Sequence, residues 1–275
     1  MRPAALLLLV HAAPALAQSH EHHHPAPTPT PAEAPATDAG DHAADAIFGA
    51  DAMAAARRGL YAETTPPMVG KLKVDRLEVQ AGSGADAYVV DAEGWHGDSI
   101  DKLWWKAELE GAFGGAVEAA QLQALWSHAI GPFFDLQAGV RYDIRPQPDR
   151  PSLVLGVQGL APLMWEIDAA AFLSSKGDVT FRVEAEYDQR LTRQLVLQPR
   201  IEAELSAQDI PEHGVGAGLS SVEAGARLGY LVSPRLRPYV GVEWQKAFGD
   251  TARFARADGE DADRWRALIG LGAWF

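Results

Sequence analysis

Four histidines within five positions, His20, His22, His23 and His24, are the strongest chemical signal in the sequence. Neutral imidazoles at that density chelate Cu, Ni or Zn. The run is interrupted by Glu21 and followed by Pro25, Pro27, Pro29, Pro31 and Pro35. Such a stretch has little to bury and reads as a solvated, disordered tail, so metal binding there must order a free chain. Three further candidate ligands are dispersed: His96 in a Gly-rich connection, Met164 beside Glu166 and Asp168, and His213 near Asp209 and Glu212. Met164 is expected to point inward as a soft thioether. His42, Met53 and Met68 are thinly spread. Zero Cys removes thiolate metal sites, Fe–S clusters, disulfides and cysteine nucleophiles. Ser127 and His128 are adjacent, but strand neighbours point to opposite faces and cannot act together as nucleophile and base. Ser220 and Ser221 have no aligned histidine, so no catalytic residue is assigned and no enzyme is expected.

These residues need elements to position them. The sequence opens with a signal-peptide pattern: Arg2, an apolar run over 4–10, and Ala15-Leu16-Ala17 as an A-x-A cleavage site. The expected organisation is a signal peptide over 1–17, a disordered His/Pro/Ala-rich tail over 18–70 facing the periplasm, and a β-barrel over 71–275. From about residue 71 the apolar residues alternate with period two. In 179–188, Val179, Phe181, Val183, Ala185 and Tyr187 oppose Thr180, Arg182, Glu184, Glu186 and Asp188. Similar runs predict about twelve strands, at 71–81, 86–95, 102–111, 117–129, 133–144, 152–161, 164–174, 179–190, 193–206, 217–231, 236–247 and 264–275. Most are long enough to cross a bilayer at a tilt, which takes about ten residues.

Each strand has one apolar and one charged face, and burying both would strand the charges. An apolar outer band around a polar lumen resolves this, and predicts an all-β, antiparallel transmembrane barrel in the outer membrane, in contact with its lipid. The longest connections, 145–151, 207–216 and 248–263, all fall on one side, as external loops do; 96–101 is the exception on the other side. Trp95, Trp104, Trp126, Tyr142, Trp165, Tyr187, Tyr230 and Trp244 are expected in interfacial girdles. The polar face carries Glu108, Glu110, Asp135, Glu166, Asp168, Glu184, Glu186, Asp188, Glu202, Glu204, Glu223 and Glu243. Opposing them are Lys102, Lys106, Arg141, Arg182, Arg200, Arg227, Arg237 and Arg264 or Arg266. These charges make either a cation path or a bridged, plugged interior. With 24 Lys+Arg against 37 Asp+Glu, the formal charge of −13 argues against a nucleic-acid partner.

Residues 86–275 resemble the copper resistance protein B family. The stretches that carry the resemblance are DAEGWHGDSIDKLWWKAELEG (91–111), QLQALWSHAIGPFFDLQAGVRYD (121–143), GVQGLAPLMWEID (156–168), EAEYDQRLTRQLVLQPRIE (184–202) and AQDIPEHGVGAGLSSVEAGARLGY (207–230). PYVGVEWQKAFGDTA (238–252) and the closing Trp274-Phe275 complete it. The resemblance implies an outer-membrane protein that binds copper ions and contributes to copper resistance, with a soluble periplasmic copper oxidase or carrier as partner. Family tails are rich in Met and His. This one keeps His but has little Met, and imidazole accepts both Cu(I) and Cu(II). The alternative reading is a passive channel or structural barrel with incidental chelation.

Overall fold

The computed structural model describes residues 42–64, 68–115 and 117–275. They fall into two units divided after Thr64. The first contains α1 (Asp45–Phe48) and α2 (Ala50–Thr64). An unstructured tail therefore does not extend over 42–64. That stretch is free of proline, and α2 has six alanines in fifteen residues, the strongest helix former. Arg57 reaches back to Asp45, donating from Nη1 to Oδ1 at 2.6 Å and from Nη2 to Oδ2 at 3.1 Å. No helix among the described residues is long and apolar enough to cross a membrane.

The second unit is a closed antiparallel barrel of twelve strands. They are β1 (Val69–Gly82), β2 (Ala87–Gly97), β3 (Asp101–Ala112), β4 (Val117–Ala129), β5 (Phe134–Arg145), β6 (Arg150–Ala161) and β7 (Trp165–Ser174). Next come β8 (Val179–Glu186, resumed at Gln189–Arg190), β9 (Leu195–Ser206), β10 (Gly218–Tyr230), β11 (Leu236–Ala247) and β12 (Asp263–Trp274). Each strand pairs with the next, and β1 pairs with β12 to close the cylinder. Leu72 and Phe275 exchange backbone hydrogen bonds at 3.0 and 2.8 Å across that seam. The break in β8 lies opposite Pro199, which has no N–H to give; there Tyr187 N donates to the Pro199 carbonyl at 3.1 Å.

Alternation works as the sequence reading expects. Leu153 and Ile269 face outward at 62% exposure each, whereas Glu78 and Arg227 face inward at 2% and 3%. A soluble protein inverts this order; a membrane barrel requires it. The longest connections, 207–217 and 248–262, lie at the end opposite Val69 and Phe275, here the loop end. The second carries α3 (Gly249–Ala257), whose Thr251 Oγ1 accepts from Gly216 N at 2.8 Å and ties the two loops together. The opposite end, where the barrel's chain termini lie, is the terminal end.

One irregularity shapes the lumen. In β1 the register against both β2 and β12 shifts by one residue near Asp75. This bulge lets Lys73 and Asp75 face inward before it, and Arg76, Glu78 and Gln80 face inward after it.

Candidate functional site

Charged side chains dominate the barrel interior, and their pairing defines two kinds of contact. Along the β10–β11–β12–β1 wall, Arg227 Nε donates to Glu78 Oε1 at 2.6 Å and its Nη2 to Glu243 Oε2 at 2.7 Å. Tyr239 Oη donates to Glu78 at 2.9 Å, and Gln80 bridges Glu78 and Glu243 at 3.0 and 3.1 Å. This belt runs along one side of the barrel, joining strands no more than three apart. Other pairs cross the lumen. Arg182 on β8 donates to Glu108 on β3 at 3.0 Å, Lys106 on β3 pairs with Asp168 on β7, and Lys73 on β1 lies 3.6 Å from Glu186 on β8. Arg76 joins Asp91 at 3.2 Å and Glu223 at 3.7 Å, while Arg200 holds Glu184 at 2.8 Å and also Glu223. The interior is thus bridged rather than lined by free charges.

Two cavities flank this bridged region. The larger, about 450 Å³, reaches Lys71, Pro132, Phe133 and Leu160 at the terminal end. Its lining has ten acidic against six basic side chains, an excess of four acidic residues. A concave, low-dielectric wall with that excess concentrates cations. The smaller, about 110 Å³, lies toward the loop end, with three arginines against three carboxylates and His213 at its edge. Loop 207–217 folds over this side, held by Glu212, which accepts from Arg150 at 2.9 Å and Lys176 at 2.6 Å. The Lys176 hydrogen bond and charge hold the Glu212 carboxyl below the usual range. Burial, then the nearby Arg150 guanidinium, push the His213 imidazole below its ordinary range, so it is neutral at pH 7.

The expected ligands do not converge. His20, His22, His23 and His24 lie outside the described residues. His96 is within β2, opposite Gly70 and Leu103, and exposed rather than in a loop at the mouth. Its strand neighbours Glu93 and Trp104 line the lumen on the other parity, so His96 faces the barrel's exterior. Met164 does not point inward. The strand begins one residue later than expected, and Leu163 and Met164 form a turn with φ of 66° and 65°, leaving Met164 63% exposed. His213 reaches the loop-end cavity, but Glu212 is taken by lysine and arginine, and Asp209 accepts from Ala217 N at 2.8 Å. Among the described residues no three His, Cys, Asp or Glu side chains gather as metal ligands. The vestibule can attract a cation electrostatically; it does not offer a coordination sphere.

Sequence reading missed Lys73, Asp75, Arg76, Glu78, Asp91 and Glu93, which the bulge in β1 and the middle of β2 bring into the lumen. The adjacent charges Asp75-Arg76 were the available signal, since a regular strand would put one of them into lipid. Trp95 and Trp104 also leave the expected girdle: their rings stack at 6.2 Å, and Trp104 Nε1 donates to Glu93 at 3.2 Å inside the terminal mouth. His128 does sit on the outer surface, its Nδ1 2.8 Å from Asp101 Oδ1.

The sequence model described as "Copper resistance protein B precursor (CopB)" matches residues 68–275. A "Copper resistance protein B homolog" from Pseudomonas syringae pv. tomato is 40% identical over 201 residues, covering 73% of this chain and 68% of that one. "Copper resistance protein B" from Escherichia coli is 38% identical over 202 residues, covering 74% and 68%. Among solved structures, the NanC porin aligns with a TM-score of 0.50 at 13% identity, over 74% of this chain and 98% of the porin. That likeness shows the outer-membrane barrel fold.

Proposed function

Since this chain belongs to the copper resistance protein B family, we propose that it serves copper resistance by capturing periplasmic copper ions and holding them at the terminal mouth of an outer-membrane barrel. The observation that carries this reading is the acidic excess of the vestibule, which opens at the end where the tail joins β1. In outer-membrane barrels that end faces the periplasm. Export through a cleaved signal peptide over 1–17 delivers the tail there. The imidazoles of His20, His22, His23 and His24 supply coordination, for Cu(II) and Cu(I) alike, and the vestibule raises the local cation concentration. Of the dispersed candidates, His96 and Met164 lie at the same end but on the outer surface and in an exposed turn, and His213 lies at the other end, so none of the three is given a role. No covalent chemistry is required of any residue. A labile, tail-held ion suits handover to a soluble periplasmic copper oxidase or carrier.

Equilibrium dialysis in detergent, run separately with Cu(I) and Cu(II), compares the mature protein with a version lacking 18–69. Loss of tight binding on deletion, leaving weak salt-sensitive association, is the expected result. No binding by the mature protein sinks the proposal and favours a passive barrel. Unchanged stoichiometry after deletion moves the site into the barrel.

A further inference from the structure

Phe172 and Arg182 are the two residues that line both cavities. We infer that Arg182, backed by Phe172, is the specificity-determining barrier of the lumen: a fixed positive charge between the chambers that makes the acidic vestibule a dead end for cations. Arg182 is pinned from both sides. Its Nη1 lies 3.0 Å from Glu108 on β3, while Nε and Nη2 lie 3.5 and 2.9 Å from Glu202 and Glu204 on β9. Phe172 sits beside it on the adjacent strand β7, opposite Thr180 and diagonal to Arg182. It packs with Leu125 and Val154 in the apolar cluster of the lumen, and the Arg141 guanidinium lies 4.6 Å above its ring.

The cross-section at this level is therefore part hydrocarbon and part a guanidinium clamped by three carboxylates. A hydrated cation leaving the vestibule would shed water against the first and, at the second, find the carboxylates already taken by the guanidinium. The charge balance changes at the same level, from an excess of four acidic residues on the terminal side to equal numbers of arginines and acidic residues on the loop side. A purely bracing role for Arg182 would need neither the apolar backing nor this step in charge. The inference does not depend on copper as the cargo, because the ion measured is potassium.

Single-channel recording of the full-length protein in planar bilayers bathed in KCl tests it. The unaltered barrel should conduct weakly. Arg182→Gln should raise unitary conductance several-fold with current carried mainly by K⁺, and Arg182→Lys, which keeps the charge, should stay near the unaltered level. Phe172→Ala, the independent variant, should raise conductance without that cation preference because Arg182 remains. Heat-modifiable migration on gels verifies that each barrel is folded. An unaltered barrel that conducts as well as Arg182→Gln overturns the inference. So do folded Arg182→Gln and Phe172→Ala barrels that both stay at the unaltered level.

Discussion

Glu78 and Arg227 are among the least exposed side chains of the described residues, yet both are charged; Arg227 donates to Glu78 and Glu243, with its buried Nη1 left unpartnered, and Glu78 also accepts from Tyr239 and Gln80. Replacing Glu78 by Leu would leave Arg227 with Glu243 alone. The expected cost is about 3 kcal/mol, the low end for breaking a buried pair, because one carboxylate stays. Urea unfolding from lipid vesicles measures it, and a loss under about 1 kcal/mol would mean that water already reaches the pair. His213 makes a second prediction at this scale. Its imidazole is held below the ordinary 6.5, so unfolding takes up a proton as pH falls through that value. Stability contributed by neutral His213 is full above 6.5 and declines as pH falls from there toward the lowered folded value. Glu212 acts in the same direction at lower pH, since its lowered carboxyl must be protonated to release Lys176 and Arg150. Loop 207–217 should thus loosen on acidification. Proton NMR of the His213 ring should show a midpoint below 6.5; a midpoint at or above it would contradict the buried setting.

Strands were the most legible elements, because period two with one charged face admits one arrangement in a bilayer. The predicted bounds of 117–129 and 236–247 match β4 and β11 outright, and most others differ by one or two residues at an end. What stayed hidden depended on local breaks in that period. The β1 bulge reversed parity in mid-strand, and the one-residue shift at β7 turned Met164 from the lumen into a turn. Helix α3 was unread because a long external loop leaves no periodic mark when its helix buries only Ala252. The tail ligands depend on a composition that sequence shows and geometry does not. The bulge itself gives a test. Deleting Asp75 should restore an unbroken alternation, with Lys71, Lys73, Arg76, Glu78 and Gln80 still inward, and the barrel should assemble. Deleting Leu77 instead moves one half of β1 to the wrong face, placing charge against lipid. Heat-modifiable migration should be kept by the first and lost by the second; equal behaviour would mean that β1 register is not what holds the seam.

For the molecule as a whole, the membrane and not water is the solvent of the outer surface. Leu155 lies near the middle of β6 and faces outward. Leu155→Arg should cost about 2–4 kcal/mol, whereas Ile130→Arg, in the β4–β5 turn, should cost about 0–1. Equilibrium unfolding in vesicles compares them, and equal costs would argue against a bilayer around β6. The cross-lumen ion pairs have a mechanical consequence. A cylinder of hydrogen-bonded strands resists stretching but ovalises readily, because flattening breaks no strand pairing. Bonds such as Arg182–Glu108 and Lys73–Glu186 span the circle as spokes span a wheel. They set its roundness, so lateral pressure from the surrounding lipid is borne by the interior charges before it can deform the wall.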